Sequence, residues 1–239
     1  MFLMPVRENE MQERKTRVTE IKYLTENILE LAVDLVEPNL IDFQPGQYMG
    51  FRFGKFIKSY SIISRPENRK KLKFCIELLP GGIVSTYAKN LKVADELLMD
   101  GPWGTFTVNN FEMALFFVAT GVGIAPFVSL VPEILAKGYN KSLQLLFGVR
   151  GEQDAIYFDF FNQIESSYQN FKFTPILSRP GQNWTGERGR VTTYLDGHYE
   201  NYRNYLFYIC GGVEMVKDAR TLLLKNGHSL KDIKMEIFV

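Results

Sequence analysis

The stretch 115-LFFVATGVGIAPFVSL-130 decides how the chain is divided. An apolar run ends in Thr120-Gly121-Val122-Gly123, and Ile124-Ala125-Pro126 then opens a segment that reads as a helix. Strand, glycine turn and helix start in this order can hold a phosphate. The glycines let a ligand approach the backbone, and the free amides and dipole of a helix start favour negative charge. Pro126 suits a first turn, where its missing N–H costs nothing. It also stands where the dinucleotide fingerprint has its third glycine, so glycine for turn geometry alone stays open beside phosphate binding. Pro132, inside the same helix, is expected to kink it.

The turn sits mid-chain, although such a turn usually opens its own domain, so the residues ahead of it need a separate account. With 239 residues the chain can bury a sizeable core and form two modest domains. Apolar residues make up 46% and charged residues 23%, an ordinary globular balance. Splitting at residue 108 gives 15 basic and 14 acidic residues before and 13 of each after, so neither half has the basic excess of a nucleic-acid binder. No apolar run approaches the length of a membrane span, and the charged start does not read as a signal peptide, so a cytoplasmic protein without stable membrane insertion is expected. Residues 1–15 are expected to be loosely ordered. Two cysteines without ligand spacing and two histidines argue against a metal site, and four-cysteine iron–sulfur ligation is excluded within this sequence.

Residues 16–110 read as short strands rich in β-branched and aromatic residues, among them Tyr48–Phe53 and segments 58–63, 72–79 and 96–99. Turn signals such as Pro45-Gly46, Pro80-Gly81-Gly82 and Gly101-Pro102 separate them, which predicts a small antiparallel barrel of Greek-key type with one short helix near 85–90. Residues 111–239 follow another pattern, in which apolar strands alternate with helix-length segments. The series runs 114–119, then 125–137; 142–149, then 158–169; 172–177; 192–196; 206–210, then 213–226. This alternation predicts a C-terminal α/β domain with a parallel sheet covered on both faces. The glycine turn therefore opens the second of two domains.

Three further stretches carry polar groups in suggestive places. In 58-KSYSIIS-64, a strand would put Lys58 and Tyr60 on one face and Ser59 and Ser61 on the other. In 80-PGGIVSTYAKN-90, Gly81 and Gly82 precede Val84, Ser85 and Thr86 at a helix start able to offer amides and hydroxyls to another phosphate. The run 206–210 followed by Gly211-Gly212 repeats the strand–glycine plan, so Cys210 should face the same crevice as Gly121 and Gly123. For each, a solvated strand, an ordinary cap and an ordinary buried cysteine are the competing readings.

Taken together, these stretches resemble the ferredoxin–NADP reductase superfamily from about residue 16 to the end. Lys58-Ser-Tyr60-Ser61 is similar to its Arg-x-Tyr-Ser, Gly82-Ile-Val-Ser85 to its Gly-x-x-Ser, and Gly101-Pro102-x-Gly104 to its barrel closure. Thr120-Gly-Val-Gly-Ile-Ala-Pro126 and Cys210-Gly211-Gly212-x-x-Met215 complete the order. The resemblance implies FAD in the barrel and NAD(P)H on the second domain, with hydride passing between them. It implies Tyr60 against the flavin ring, Ser61 near flavin N5, and Lys58, Ser85 and Thr86 at the pyrophosphate. Thr120, Gly121 and Gly123 would line the nicotinamide nucleotide, and Cys210 would sit by its reactive carbon. The tail Glu236-x-Phe238 is similar to the family's terminal Glu-x-Tyr, so Phe238 would cover the flavin and Glu236 joins Ser61 and Cys210 as a candidate catalytic residue; a plain last edge strand is the competing reading. Lysine at 58 keeps the charge of the usual arginine but loses its fork, which leaves FMN as the other flavin.

Strand 142–149 ends in Gly148-Val149-Arg150 with no acid at its tip, and strand 172–177 ends in Ser178-Arg179. Ser178-Arg179 is similar to the pair with which plant-type relatives hold the 2′-phosphate. Together with Arg150, Arg188 and Arg190 this favours NADP(H) over NAD(H). With no cluster of its own, the chain is expected to reduce a ferredoxin or flavodoxin. Arg65, Arg69, Lys70, Lys71 and Lys73 on one hairpin could steer such an acidic partner, unless they form only a solvated tip. The other readings are the reductase component of a multicomponent oxygenase and a nucleotide-responsive binding module without flavin.

Overall fold

The computed structural model describes residues 13–54 and 56–238. The chain forms two compact units that divide between Thr105 and Phe106. The first contains β1 (Glu13–Thr25), β2 (Ile28–Glu37), β3 (Tyr48–Phe53), β4 (Phe56–Ser61), β5 (Lys71–Glu77), α1 (Ile83–Asn90) and β6 (Glu96–Trp103). The strands pair antiparallel in the order β4-β3-β6-β1-β2-β5. The two edges meet beyond β4, where Ile62 bridges Phe74 of β5 and the Ile63 amide donates to the Lys73 carbonyl at 2.9 Å. The sheet thus closes into the expected barrel.

Alternation along the strands fills this barrel. Leu29, Leu31 and Val33 of β2 face Phe51, Phe74 and Met99, and Phe51 meets Phe74 edge-on at 4.6 Å. Of the start expected to be loose, residues 1–12 lie outside the described residues. Glu13, Arg14 and Lys15 instead begin β1, because the buried Arg14 guanidinium donates to the carbonyls of Gly101 and Leu40, both at 3.1 Å.

The second unit contains β7 (Ala114–Thr120), α2 (Ala125–Ala136), β8 (Leu143–Val149), α3 (Phe158–Ser167), β9 (Phe171–Leu177), β10 (Glu187–Arg188), α4 (Val191–His198), β11 (Tyr205–Gly212), α5 (Val213–Lys225) and β12 (Ile233–Phe238). The strands are parallel in the order β10-β9-β8-β7-β11-β12. Near-continuous apolar strands suit a sheet buried on both faces, and Leu115, Phe117, Val118, Leu146, Phe207 and Ile209 are fully buried. Segment 192–196 belongs to α4, where Val191 and Leu195, four residues apart, are buried. Helix α2 runs through Pro132. After β7 the chain goes to one side of the sheet, and after β11 to the other. The carboxyl ends of β7 and β11 therefore form the switch point where open α/β sheets bind ligands. No described helix is long and apolar enough to cross a membrane.

Candidate cofactor and nucleotide sites

In the barrel unit, β4 carries the first group of candidates. Lys58 and Ser59 are exposed, Tyr60 is half-buried and Ser61 is buried. Tyr60 turns toward the core and meets Phe51 edge-on at 5.3 Å; burial pushes its phenol up to about 12. Strand alternation puts Ser61 on the opposite face from Tyr60. Its hydroxyl is buried without a hydrogen-bond partner among the described residues. A buried polar atom without a partner costs free energy, so it points to a ligand able to complete the bond.

Helix α1 supplies the second group. Gly81 takes φ +71°, a conformation other residues rarely adopt, and Gly82 is the N-cap. The hydroxyls expected to face a phosphate are used inside the turn. Ser85 Oγ accepts from the Leu79 amide at 2.8 Å, and Thr86 Oγ1 donates to the Gly82 carbonyl at 3.1 Å. What α1 leaves free is backbone: no side chain caps its start, so its first-turn amides can donate to an anion. Val84 packs on the same barrel core as Tyr60, and Tyr87 lies 5.9 Å from Phe53 of β3.

In the second unit the glycine turn is a single 3-10 turn, Gly121–Ile124, that runs directly into α2, with Pro126 in its first turn. Gly121 takes φ +54°. Gly123 is required for space: a Cβ there would lie 2.6 Å from the Cys210 carbonyl carbon and from Gly211 Cα. Gly211 in turn lies against Thr120, and a Cβ on it would come within 2.7 Å of the Met215 methyl. The turn after β7 and the end of β11, with Gly212 capping α5, thus interlock at the switch point.

Cys210 pairs with Ala119 on one side and Glu236 on the other. It is fully buried rather than open to a crevice, and burial, with Glu236 beside it, pushes the thiol well up and keeps it neutral. The Glu236 carboxyl is raised to about 7 by burial, and its Oε2 has no hydrogen-bond partner among the described residues. Such a carboxyl can take or release a proton near neutrality. Phe238, half-buried, pairs with Gly212, so the tail forms an edge strand.

At the tips of β8 and β9, the Ser178 amide donates to the Val149 carbonyl at 3.1 Å and the Arg179 amide to the Arg150 carbonyl at 2.7 Å. Arg190 caps α4 next to Gly189, whose amide donates to the Leu177 carbonyl at 2.9 Å. Adjacent strand ends therefore carry Arg150, Arg179 and Arg190, all exposed and without an ion pair among the described residues. Arg188 turns back onto its own loop and donates to the carbonyls of Trp184 and Gly181. An acid does stand just past the tip of β8: Glu152 accepts from the Gly181 amide at 3.0 and 3.2 Å. Its position two residues beyond Arg150 was visible in the sequence; its partner, in another loop, was not.

The basic hairpin is largely neutralised. Arg65 pairs with Glu67 at 2.6 Å, Arg69 with Asp42 at 2.7 Å, Lys71 with Asp34 at 3.8 Å and Lys73 with Glu30 at 2.8 Å. Of the five, only Lys70 has no acidic partner among the described residues.

Residues 15–108 match the oxidoreductase FAD-binding domain family, and residues 117–221 match the oxidoreductase NAD-binding domain family. The anthranilate 1,2-dioxygenase electron transfer component of Acinetobacter baylyi is 29% identical over 87% of this chain and 62% of its own length. The ferredoxin–NAD(P)(+) reductase component of the naphthalene 1,2-dioxygenase/salicylate 5-hydroxylase systems of a Ralstonia species is 30% identical over 89% of this chain and 65% of its own. The chain spans 61% to 68% of the length of the curated relatives it matches. The same fold occurs in a ferredoxin NADP+ reductase from Neisseria gonorrhoeae, solved with FAD and NADP, at TM-score 0.84 and 24% identity over 95% of this chain and 99% of that one. With an FAD-binding barrel followed by an NAD-binding α/β domain, this chain belongs to the ferredoxin–NADP reductase superfamily.

Proposed function

We propose that the chain is a flavoprotein reductase that takes hydride from NAD(P)H and passes electrons to a protein acceptor. The observation that carries this reading is the Ser61 hydroxyl at the end of β4, buried and without a partner among the described residues. FAD, when bound, supplies the chemistry of accepting a hydride and releasing electrons singly. Ser61 would donate to the flavin near N5, Tyr60 would support the ring, and the first-turn amides of α1 with Lys58 would hold the pyrophosphate. The interlocked segments at Gly121, Gly123, Gly211 and Gly212 would admit the nicotinamide nucleotide close to the backbone, with Thr120, Pro126 and Met215 beside them. Cys210 would act as a neutral packing group, and Glu236 would hold or release a proton.

The exposed guanidinium groups of Arg150, Arg179 and Arg190, with Ser178, support NADPH over NADH. The acceptor is expected to be a ferredoxin or flavodoxin, but the neutralised hairpin supports no strong steering there. A second reading, the reductase part of a multicomponent oxygenase, is favoured by the oxygenase systems named for the relatives.

The test is the visible spectrum of the purified protein before and after anaerobic NADPH. A yellow protein bleached by NADPH supports the proposal. A protein that stays colourless with added FAD overturns it and leaves the binding-module reading.

A further inference from the structure

We infer that Glu152 sets how strongly the nucleotide site discriminates at the ribose 2′ position, as a counterweight to the arginines around it. The inference rests on the reading that the tips of β8 and β9 receive the adenosine end of the nucleotide.

Glu152 is exposed, yet both of its oxygens lie on one backbone amide, that of Gly181. Gly181 is held on both of its peptide groups, since Arg188 donates to the Gly181 carbonyl at 3.5 Å. Glu152 lies two residues from Arg150 and accepts from a residue two beyond Arg179, and the Arg179 amide donates to the Arg150 carbonyl at 2.7 Å. A carboxylate is thus fixed beside the strand ends that carry Arg150 and Arg179, with no ion pair to either among the described residues. It contributes in two ways. As an acceptor it ties the loop carrying Ser178 and Arg179 to the tip of β8. As a charge it opposes the doubly charged 2′-phosphate that the arginines attract, while a ribose 2′-OH is not repelled. The net effect is a site whose preference for the phosphorylated nucleotide is smaller than its arginines alone would give.

Glu152→Gln separates the two contributions, because an amide oxygen can still accept from Gly181 while the charge is gone. Calorimetric binding of 2′,5′-ADP and of 5′-AMP to the full chain isolates the 2′-phosphate from the rest of the nucleotide. Glu152→Gln is expected to tighten 2′,5′-ADP by about three- to tenfold, to leave 5′-AMP within about twofold, and to lose much of the gain at high salt. Glu152→Ala, which also releases the loop, is expected to weaken 5′-AMP. An unchanged ratio of the two affinities in Glu152→Gln overturns the inference, provided Arg179→Ala collapses that ratio. If Arg179→Ala leaves the ratio unchanged, the placement of the adenosine end fails and the inference falls with it.

Discussion

Each unit has a glycine-led helix start and a buried polar atom without a partner among the described residues, but the physics differs between the two. Before α1, Gly81 is needed for its backbone angle: φ is +71° and a Cβ would meet nothing within 4 Å. Before α2, Gly123 is needed for space, because the end of β11 runs across it. Likewise Ser61 Oγ is a neutral hydroxyl, whereas Glu236 Oε2 belongs to a group that titrates. Similar local sequence therefore predicts different responses to substitution, pH and ligand.

The largest contrast is expected at Gly123. Gly123→Ala should destabilise the second unit by about 3 kcal/mol or more, because backbone on both sides of the contact must move. Urea unfolding followed by tryptophan fluorescence would measure it, Trp184 lying in this unit. A loss under about 1 kcal/mol would mean that the two segments do not interlock.

Glu236 should show itself through pH. Its native pKa, about 7, lies above the ordinary 4.5, so the fold favours the neutral carboxyl. Its contribution is fully present below pH 4.5, declines as pH rises, and is lost above about 7. The decline amounts to about 3 kcal/mol at most. Glu236→Gln should flatten stability across this window, and a variant that keeps the wild-type slope would assign the slope to other groups.

Ser61 tests the neutral counterpart. Ser61→Ala should slow hydride transfer by about tenfold or more, the size of one hydrogen bond made at the reacting edge, with NADPH affinity changed less than about twofold. Stopped-flow bleaching of the flavin separates the two. Equal rates would remove Ser61 from the reacting edge.

What the sequence made legible follows from the range of the forces involved. The glycine turn between strand and helix, and the change from antiparallel strands to strands alternating with helices, rest on neighbouring residues and alternation, and the structure carries both. The role of Gly123 was not legible, because its neighbour Cys210 comes 87 positions later. Glu152 reads as an ordinary acid until Gly181, 29 residues on, presents its amide. The hairpin cations read as a patch because their partners Asp34, Asp42 and Glu30 lie on other segments of the barrel. Segment 192–196 was too short for a periodic signal to show the helix it belongs to.

The smallest expected effect completes the contrast between the glycines. Gly81→Ala introduces no clash and costs only left-handed backbone strain, about 1 kcal/mol. Because the strain sits at the entry to α1, the first-turn amides should shift more than the barrel does. Affinity for FAD should therefore fall by about tenfold at most, while the thermal midpoint of the flavin-free protein changes by only a few degrees. Titrating flavin-free protein with FAD and with riboflavin locates the effect, since riboflavin lacks the pyrophosphate. A loss confined to FAD ties the amides of α1 to the phosphates. An equal loss for both ligands would mean that Gly81 shapes the ring site instead, and α1 would no longer parallel the turn before α2.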